Sequence, residues 1–362
     1  TASWFVPHLG SLVLEIDGKL DPAQVLPGVE LQVVGQTTDQ PVLSLKQAQI
    51  PLKEAFEAWS QPLEKVFPSH GTVTPFREVP PASTRKSSAK PAVKVARPRV
   101  LVTTFPGTNC EYDTARAFER AGAVADCFIM RNLTERDVDD SIATLVKQIE
   151  NSQILMIPGG FSAGDEPDGS GKFIAAVFRN ARVKDAVHRL LQQRDGLVLG
   201  ICNGFQALIK LGLVPYGEIR DMDANSPTLT FNTIGRHISR MVRTKVYSSL
   251  SPWLALSQVN DVHIIPVSHG EGRFVASEQQ IQQLFQAGQV ATLYVDEVGR
   301  PANDPDSNPN GSLYCIEGIT SPDGRVLGKM AHSERQGTNV SKNVPGEKDQ
   351  RLFESGVAYF RS

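Results

Sequence analysis

Beyond residue 98 the chain alternates short apolar runs with longer segments in which apolar residues return every third or fourth position. The runs "RVLVTTF", "VADCFIM", "QILMIPGG" and "GLVLGI" predict buried strands, and "YDTARAFERAG", "DSIATLVKQIE" and "FIAAVFRNARVKDAVHRLLQQ" predict amphipathic helices, the first ending at Gly122. Strands and helices in strict alternation predict an α/β domain with a mostly parallel sheet covered on both faces. After residue 225 the pattern turns β-rich, with "RMVRTKVY", "VHIIPVSHG", "ATLYVD" and "SLYCIEGI", which predicts an antiparallel extension or insertions in the same domain.

The first 67 residues read differently. Three short alternating stretches, "SLVLEI", "ELQVVGQ" and "PVLSL", predict strands, and Leu52, Phe56, Trp59 and Leu63 fall at helical spacing. So few elements rarely hold a core of their own, so residues 1–67 are expected to be a small α+β fragment, either the tail of a missing domain or a piece that docks on the rest. Residues 68–98 are rich in Pro, Ser, Ala and Lys and predict a solvated linker. Its basic residues Arg85, Lys86, Lys90, Lys94 and Arg97 have neither aromatic interleaving nor periodicity to make a docking patch.

Composition narrows the function classes. A net charge of −2 over 362 residues gives no electrostatic footprint for nucleic acid or an anionic membrane. No run of 18 apolar residues predicts a membrane span, and nothing at the start reads as a secretion signal. The four cysteines, Cys110, Cys127, Cys202 and Cys315, lack metal-type spacing and are expected to be reduced thiols in a cytoplasmic protein, with no metal site. The missing initiator Met fits a piece of something longer.

One cysteine has an unusual setting. In "GLVLGICNGFQALIKLGLVP" a strand ends at Gly200-Ile201-Cys202-Asn203-Gly204 and a helix pattern starts at once. Gly-x-Cys-x-Gly between a strand and a helix is the sulfur form of a nucleophile elbow, whose tight turn lifts the reactive atom above the strand ends. The helix N-terminus favours a thiolate, and its free N–H groups, beginning with Asn203, can face negative charge on a substrate oxygen. Cys127 and Cys315, each inside an apolar run, read instead as small buried hydrophobes, whereas Cys110 in "PGTNCEYD" lies at a second strand–helix turn.

A thiol nucleophile needs a base and the base an orienting group. His332 in "AHSER" has Glu334 two positions on, on the same side of an extended segment, and so supplies both. A strand ending in Pro158-Gly159-Gly160 brings bare backbone to the same level. Two pattern matches fail on their context. "GSGK" lacks the first Gly and the final Ser or Thr of a phosphate loop. The calcium-loop match at Asp306, Asn308, Asn310, Gly311 and Glu317 is interrupted by Pro309 and runs into a predicted strand.

Taken together, "GICNGFQ" and "AHSER" resemble the nucleophile and His-x-Glu motifs of class I, triad-type glutamine amidotransferases. "TTFPGTNCEYDTARAF", "PGGFSAGD", "IPVSHGEGRF" and "NPNGS" make the resemblance narrower, to the glutaminase domain of formylglycinamide ribonucleotide amidotransferases, over residues 99–362. The "LGSLVLEI" stretch and the "IPLKEAFEAWSQPLEKVFP" helix resemble the end of the synthetase part in single-chain versions. The resemblance implies a flavodoxin-like fold and hydrolysis of L-glutamine through a cysteine thioester. Cys202 would be the nucleophile, His332 the acid and base, and Glu334 its orienting carboxylate. Gly159, Gly160, Phe161 and Asn203 would surround the oxyanion, and Gln206, His269 and Glu271 would contribute to glutamine recognition. It further implies no cofactor in this chain, with ATP and Mg on a synthetase domain that receives the ammonia. The family commonly has Pro between the His and the Glu, and Ser333 here removes that backbone restraint. Two other readings stay open: another cysteine hydrolase on the same fold, and a catalytically silent interaction domain.

Overall fold

The computed structural model describes residues 7–46, 48–161 and 171–361, in two compact units divided between Ser69 and His70. In the first unit a helical turn, α1 (Pro22–Val25), is followed by an antiparallel hairpin of β1 (Val42–Leu45) and β2 (Ala48–Pro51) and by α2 (Leu52–Ser60). The strands expected at "SLVLEI" and "ELQVVGQ" are absent, because alternation makes a strand only where another edge pairs with it. The α2 helix has the expected stripe, yet Phe56 and Trp59 are exposed, and no described residue of this unit is buried.

The second unit is built on a nine-stranded sheet. Its strands are β3 (Arg99–Thr104), β4 (Val124–Ile129), β5 (Ile154–Ile157), β6 (Leu197–Ile201), β8 (Ile238–Val246), β9 (Val262–His269), β11 (Val290–Val295), β12 (Ile316–Thr320) and β13 (Val326–Lys329), and β7 (Thr228–Phe231) pairs separately with β10 (Glu271–Val275). The order is β4-β3-β5-β6-β13-β12-β11-β8-β9. From β4 to β13 neighbours are parallel, and from β13 to β9 they are antiparallel. The parallel half is the expected α/β core, with β5 and β6 buried along their whole length. The β-rich tail extends the same sheet.

The helices are α3 (Glu111–Arg120), α4 (Glu135–Glu150), α5 (Lys172–Phe178), α6 (Ala181–Gln192), α7 (Asn203–Leu211), the short α8 (Leu213–Tyr216), α9 (Glu278–Ala287) and α10 (Leu352–Tyr359). Thr134 caps α4 by accepting the Asp137 N–H, and Ile142, Leu145 and Ile149 form its buried stripe. The expected single helix from Phe173 onward is two, because Asn180 leaves helical geometry and its side chain caps the Arg182 N–H of α6.

Two further expectations need correction. Residues 70–98 do not stand free: Ser83, Ser87 and Val95 donate backbone hydrogen bonds to Tyr247, Leu250 and Phe360, and Tyr247 donates to the Pro80 carbonyl. The side chains of Arg85, Lys86, Lys90, Lys94 and Arg97 do point to solvent. Cys127 is exposed, because β4 is the sheet edge and Phe128, with Met130 just past the strand, turns inward instead. Cys315 is buried as expected, and burial pushes its thiol up to about 12. It lies in a tight turn before β12 rather than in the strand itself.

Candidate active site

The strand ends β6 and β13 lie side by side in parallel register, Ile201 opposite Lys329. Cys202 follows the first and His332 the second. The Cys202 N–H donates to the Lys329 carbonyl at 2.8 Å, which ties the corner to the sheet. Its backbone is strained, with φ 54° and ψ −107°, and the next residue starts α7. The two glycines explain themselves here. A Cβ on Gly200 would stand 2.7 Å from the Gly204 carbonyl, and one on Gly204 would stand 1.9 Å from the Ile157 oxygen. The elbow closes only because both positions lack side chains.

Around it, residues distant in sequence converge on Gly159. A Cβ there would stand 2.6 Å from His332 Cε1, 3.2 Å from Cys110 Sγ and 3.4 Å from Cys202 Cβ. His332 Nδ1 and Glu334 Oε1 are 2.6 Å apart, and both residues are almost fully buried. Burial alone pushes an imidazole down, but the Glu334 carboxylate, then the Cys202 group, then contact with Cys110 hold His332 well above its usual value. Burial pushes Glu334 up, yet the charge of His332 and its hydrogen bond keep that carboxyl below its ordinary range. The balance favours a protonated imidazole with the Glu334 carboxylate behind it. Among the described residues, His332 Nε2 and Glu334 Oε2 have no hydrogen-bond partner.

Gly160 adopts φ 149° and bridges to Thr108. The Phe161 N–H donates to the Gly107 carbonyl at 2.8 Å, so it is already engaged and is not free for a substrate oxygen. The rest of "GGFSAGD" and "GSGK", residues 162–170, lies outside the described residues. The Asn203 side chain donates to Gln206 Oε1 at 2.9 Å, and Gln206 donates to the Glu271 carbonyl. Gln206 therefore braces the elbow against β10. His269 is buried, with Nδ1 3.2 Å from Asn232 Oδ1 and Nε2 unpartnered among the described residues. Glu271 is buried in β10 opposite Phe231.

A family profile described as the CobB/CobQ-like glutamine amidotransferase domain matches residues 97–360. The chain belongs to that family. A protein of Methanococcus maripaludis named phosphoribosylformylglycinamidine synthase subunit PurQ is 36% identical over 246 residues, 68% of this chain and 85% of the relative. A protein of the same name from Treponema denticola is 34% identical over 281 residues, 73% of this chain and 99% of the relative. Among solved structures, one described as PurLQS from Thermotoga maritima superposes with a TM-score of 0.52 at 26% identity, covering 73% of this chain and 99% of that one. The chain is thus an enzyme of the glutamine amidotransferase type, with the α/β fold of that class.

In this amidotransferase domain three site neighbours were not legible beforehand as such. Cys110 is the residue before α3, without capping it, and its sulfur lies 3.8 Å from His332 Nδ1 and 3.3 Å from an Arg335 guanidinium nitrogen. Asn232 holds both His269 and the Gly272 N–H. Lys329 is buried behind the His-x-Glu segment. Cys110, His332 and Glu334 offer ligand atoms within 4.8 Å of one another, the one such group among the described residues. The Arg335 charge against the Cys110 sulfur opposes a cation there. The calcium-type pattern is spent on protein contacts: the Asn308 and Asn310 amides donate to the Ser312 and Gly272 carbonyls, and Glu317 pairs with Lys329.

His269 carries a pH prediction. Burial, then the charges of His332 and His237, lower it to about 3 from 6.5, so the folded protein holds it neutral where the unfolded chain would protonate it. Stability from this group is intact above about 6.5 and declines as pH falls toward 3, by on the order of 5 kcal/mol in all. His269→Gln is expected to flatten that acid limb. Urea midpoints of both proteins at pH 7 and pH 4 check it, and an identical loss in the two would contradict it.

Proposed function

We propose that this domain hydrolyses L-glutamine through a thioester on Cys202 and passes the ammonia to a synthetase partner that amidates formylglycinamide ribonucleotide in purine biosynthesis. The observation that carries the reading is the convergence at Gly159 of the strained Cys202 elbow with the His332–Glu334 pair. The names of the relatives give it its pathway.

The Cys202 thiolate adds to the glutamine side-chain carbonyl, and the resulting oxyanion is met by the backbone N–H groups of Gly160 and Asn203. His332 gives its proton to the departing ammonia, which breaks the carbon–nitrogen bond and leaves the glutamyl thioester. Neutral His332 then takes a proton from water, whose oxygen attacks the thioester and releases glutamate and the thiolate. Glu334 stabilises the imidazolium before the first transfer and after the second. In this reading ATP and Mg act on the synthetase partner, and no cofactor is assigned to this chain.

The test separates the two nitrogen sources. The synthetase partner alone is expected to form the amidine with ammonium salts and ATP, and to use glutamine only when this chain is added. Glutamine use without the chain, or none with it, would overturn the assignment.

A further inference from the structure

The segment carrying His332 and Glu334 is gripped from behind by a buried charge. Lys329, the last residue of β13, and Glu317 of β12 form an ion pair at 3.3 Å, with side chains 1% and 0% exposed. The ammonium also donates to the Ala331 carbonyl at 2.7 Å and to Ser333 Oγ at 3.0 Å, so its three protons have three acceptors. Ala331 and Ser333 are the two chain neighbours of His332. Glu317 returns the grip: Oε1 accepts the Ala331 N–H at 2.7 Å, and the Thr292 hydroxyl holds its other oxygen. Ser333 Oγ donates onward to Gln350 Oε1 at 2.7 Å, and the Gln350 amide donates to Thr244 at 3.2 Å.

A buried ion pair of this kind contributes little net stability, because desolvation offsets the attraction. Stability is therefore a poor account of why two charges stand inside an apolar sheet. Their contacts fall on either side of one imidazole. We propose that Lys329, backed by Glu317 and Ser333, is a positioning residue that fixes His332 against Cys202. The network supplies the restraint that a proline at 333 would have imposed through the backbone.

The inference rests on the proposed glutaminase reading, and the test reads the two apart. In the full chain, Lys329→Met with Glu317→Gln removes both charges while leaving an acceptor for the Ala331 N–H, and Ser333→Ala removes one leg of the grip. The measurements are thermal midpoint, kcat and KM for glutamine with the synthetase partner present, and the rate of Cys202 alkylation by iodoacetamide at pH 7, located by peptide mass. The double variant is expected to keep its thermal midpoint and the glutamine KM to within about threefold, while kcat and the alkylation rate fall about tenfold or more. Ser333→Ala is expected to lower both rates about threefold with no loss of stability. A folded double variant with wild-type kcat and alkylation rate overturns the proposal. Should that variant fail to fold, unchanged rates in Ser333→Ala overturn it instead. Should the wild type release no glutamate, the glutaminase reading fails, and the alkylation rates still decide whether Lys329 positions His332.

Discussion

Cys202→Ala is expected to lower glutamine-dependent amidation by about ten-thousand-fold or more while ammonium-dependent amidation by the synthetase partner continues at the wild-type rate. The size of the effect follows from the kind of loss. Without sulfur no thioester forms, and the remaining groups only hold the substrate and its developing oxyanion. His332 would lose part of what raises it, since Cys202 follows Glu334 among the groups that oppose its burial. Cys110 offers no substitute, because its sulfur sits on the Nδ1 side of the ring, 3.8 Å from an atom already bound to Glu334. Cys110→Ser should therefore leave most of the rate in place. Loss of the ammonium-dependent reaction in Cys202→Ala would point to a disrupted assembly rather than to chemistry.

Gly204→Ala is expected to be the most damaging single methyl group in the domain. Its Cβ would stand 1.9 Å from the carbonyl oxygen of Ile157 and 2.8 Å from the carbonyl carbon. Ile157 ends a fully buried strand paired to β6, so the obstacle is backbone with no flexible end to give way. Overpacking a close-packed interior costs about 1–3 kcal/mol when side chains can adjust, and this site lies at or beyond the upper end. The alternative to instability is a shift of α7 away from β5, which would move Cys202 and the Asn203 N–H together. Either outcome lowers activity. Thermal melts and glutamate release measured on the same preparation check it, and a variant with wild-type values of both would contradict the elbow geometry.

Much of this was legible in the sequence because the signals are local. The strand–helix alternation gave the parallel half of the sheet, since buried strands and amphipathic helices differ in period. Glycines flanking Cys202 marked a turn that other residues cannot make, and Glu334 two positions from His332 marked a paired face. The failures are also physical. "SLVLEI" and "ELQVVGQ" have strand composition, but composition does not supply a pairing edge. Cys127 reads as core until the strand order places β4 at the sheet edge. The break at Asn180 was readable from its capping side chain, which the apolar period conceals.

The neighbours of the triad were harder because they are long-range. Cys110 and Arg335 lie 225 positions apart and meet only through the fold. Lys329 reads as an ordinary strand-end lysine, which usually faces water, until β12 brings Glu317 beside it. The same contact answers the question raised by Ser333, whose hydroxyl is held by Lys329 and Gln350. Phe161 shows the reverse case, in which a motif position expected to donate to an oxyanion has its N–H committed to Gly107.

The central claim is that glutamine is opened by the sulfur of Cys202. It is tested most directly by quenching the chain with acid during turnover of glutamine, in the presence of its synthetase partner, and locating the glutamyl adduct by peptide mass. The account predicts an adduct on the peptide containing Cys202, accumulating in the wild type and absent from Cys202→Ala. An adduct on Cys110 or Cys127, or one that persists in Cys202→Ala, would contradict it.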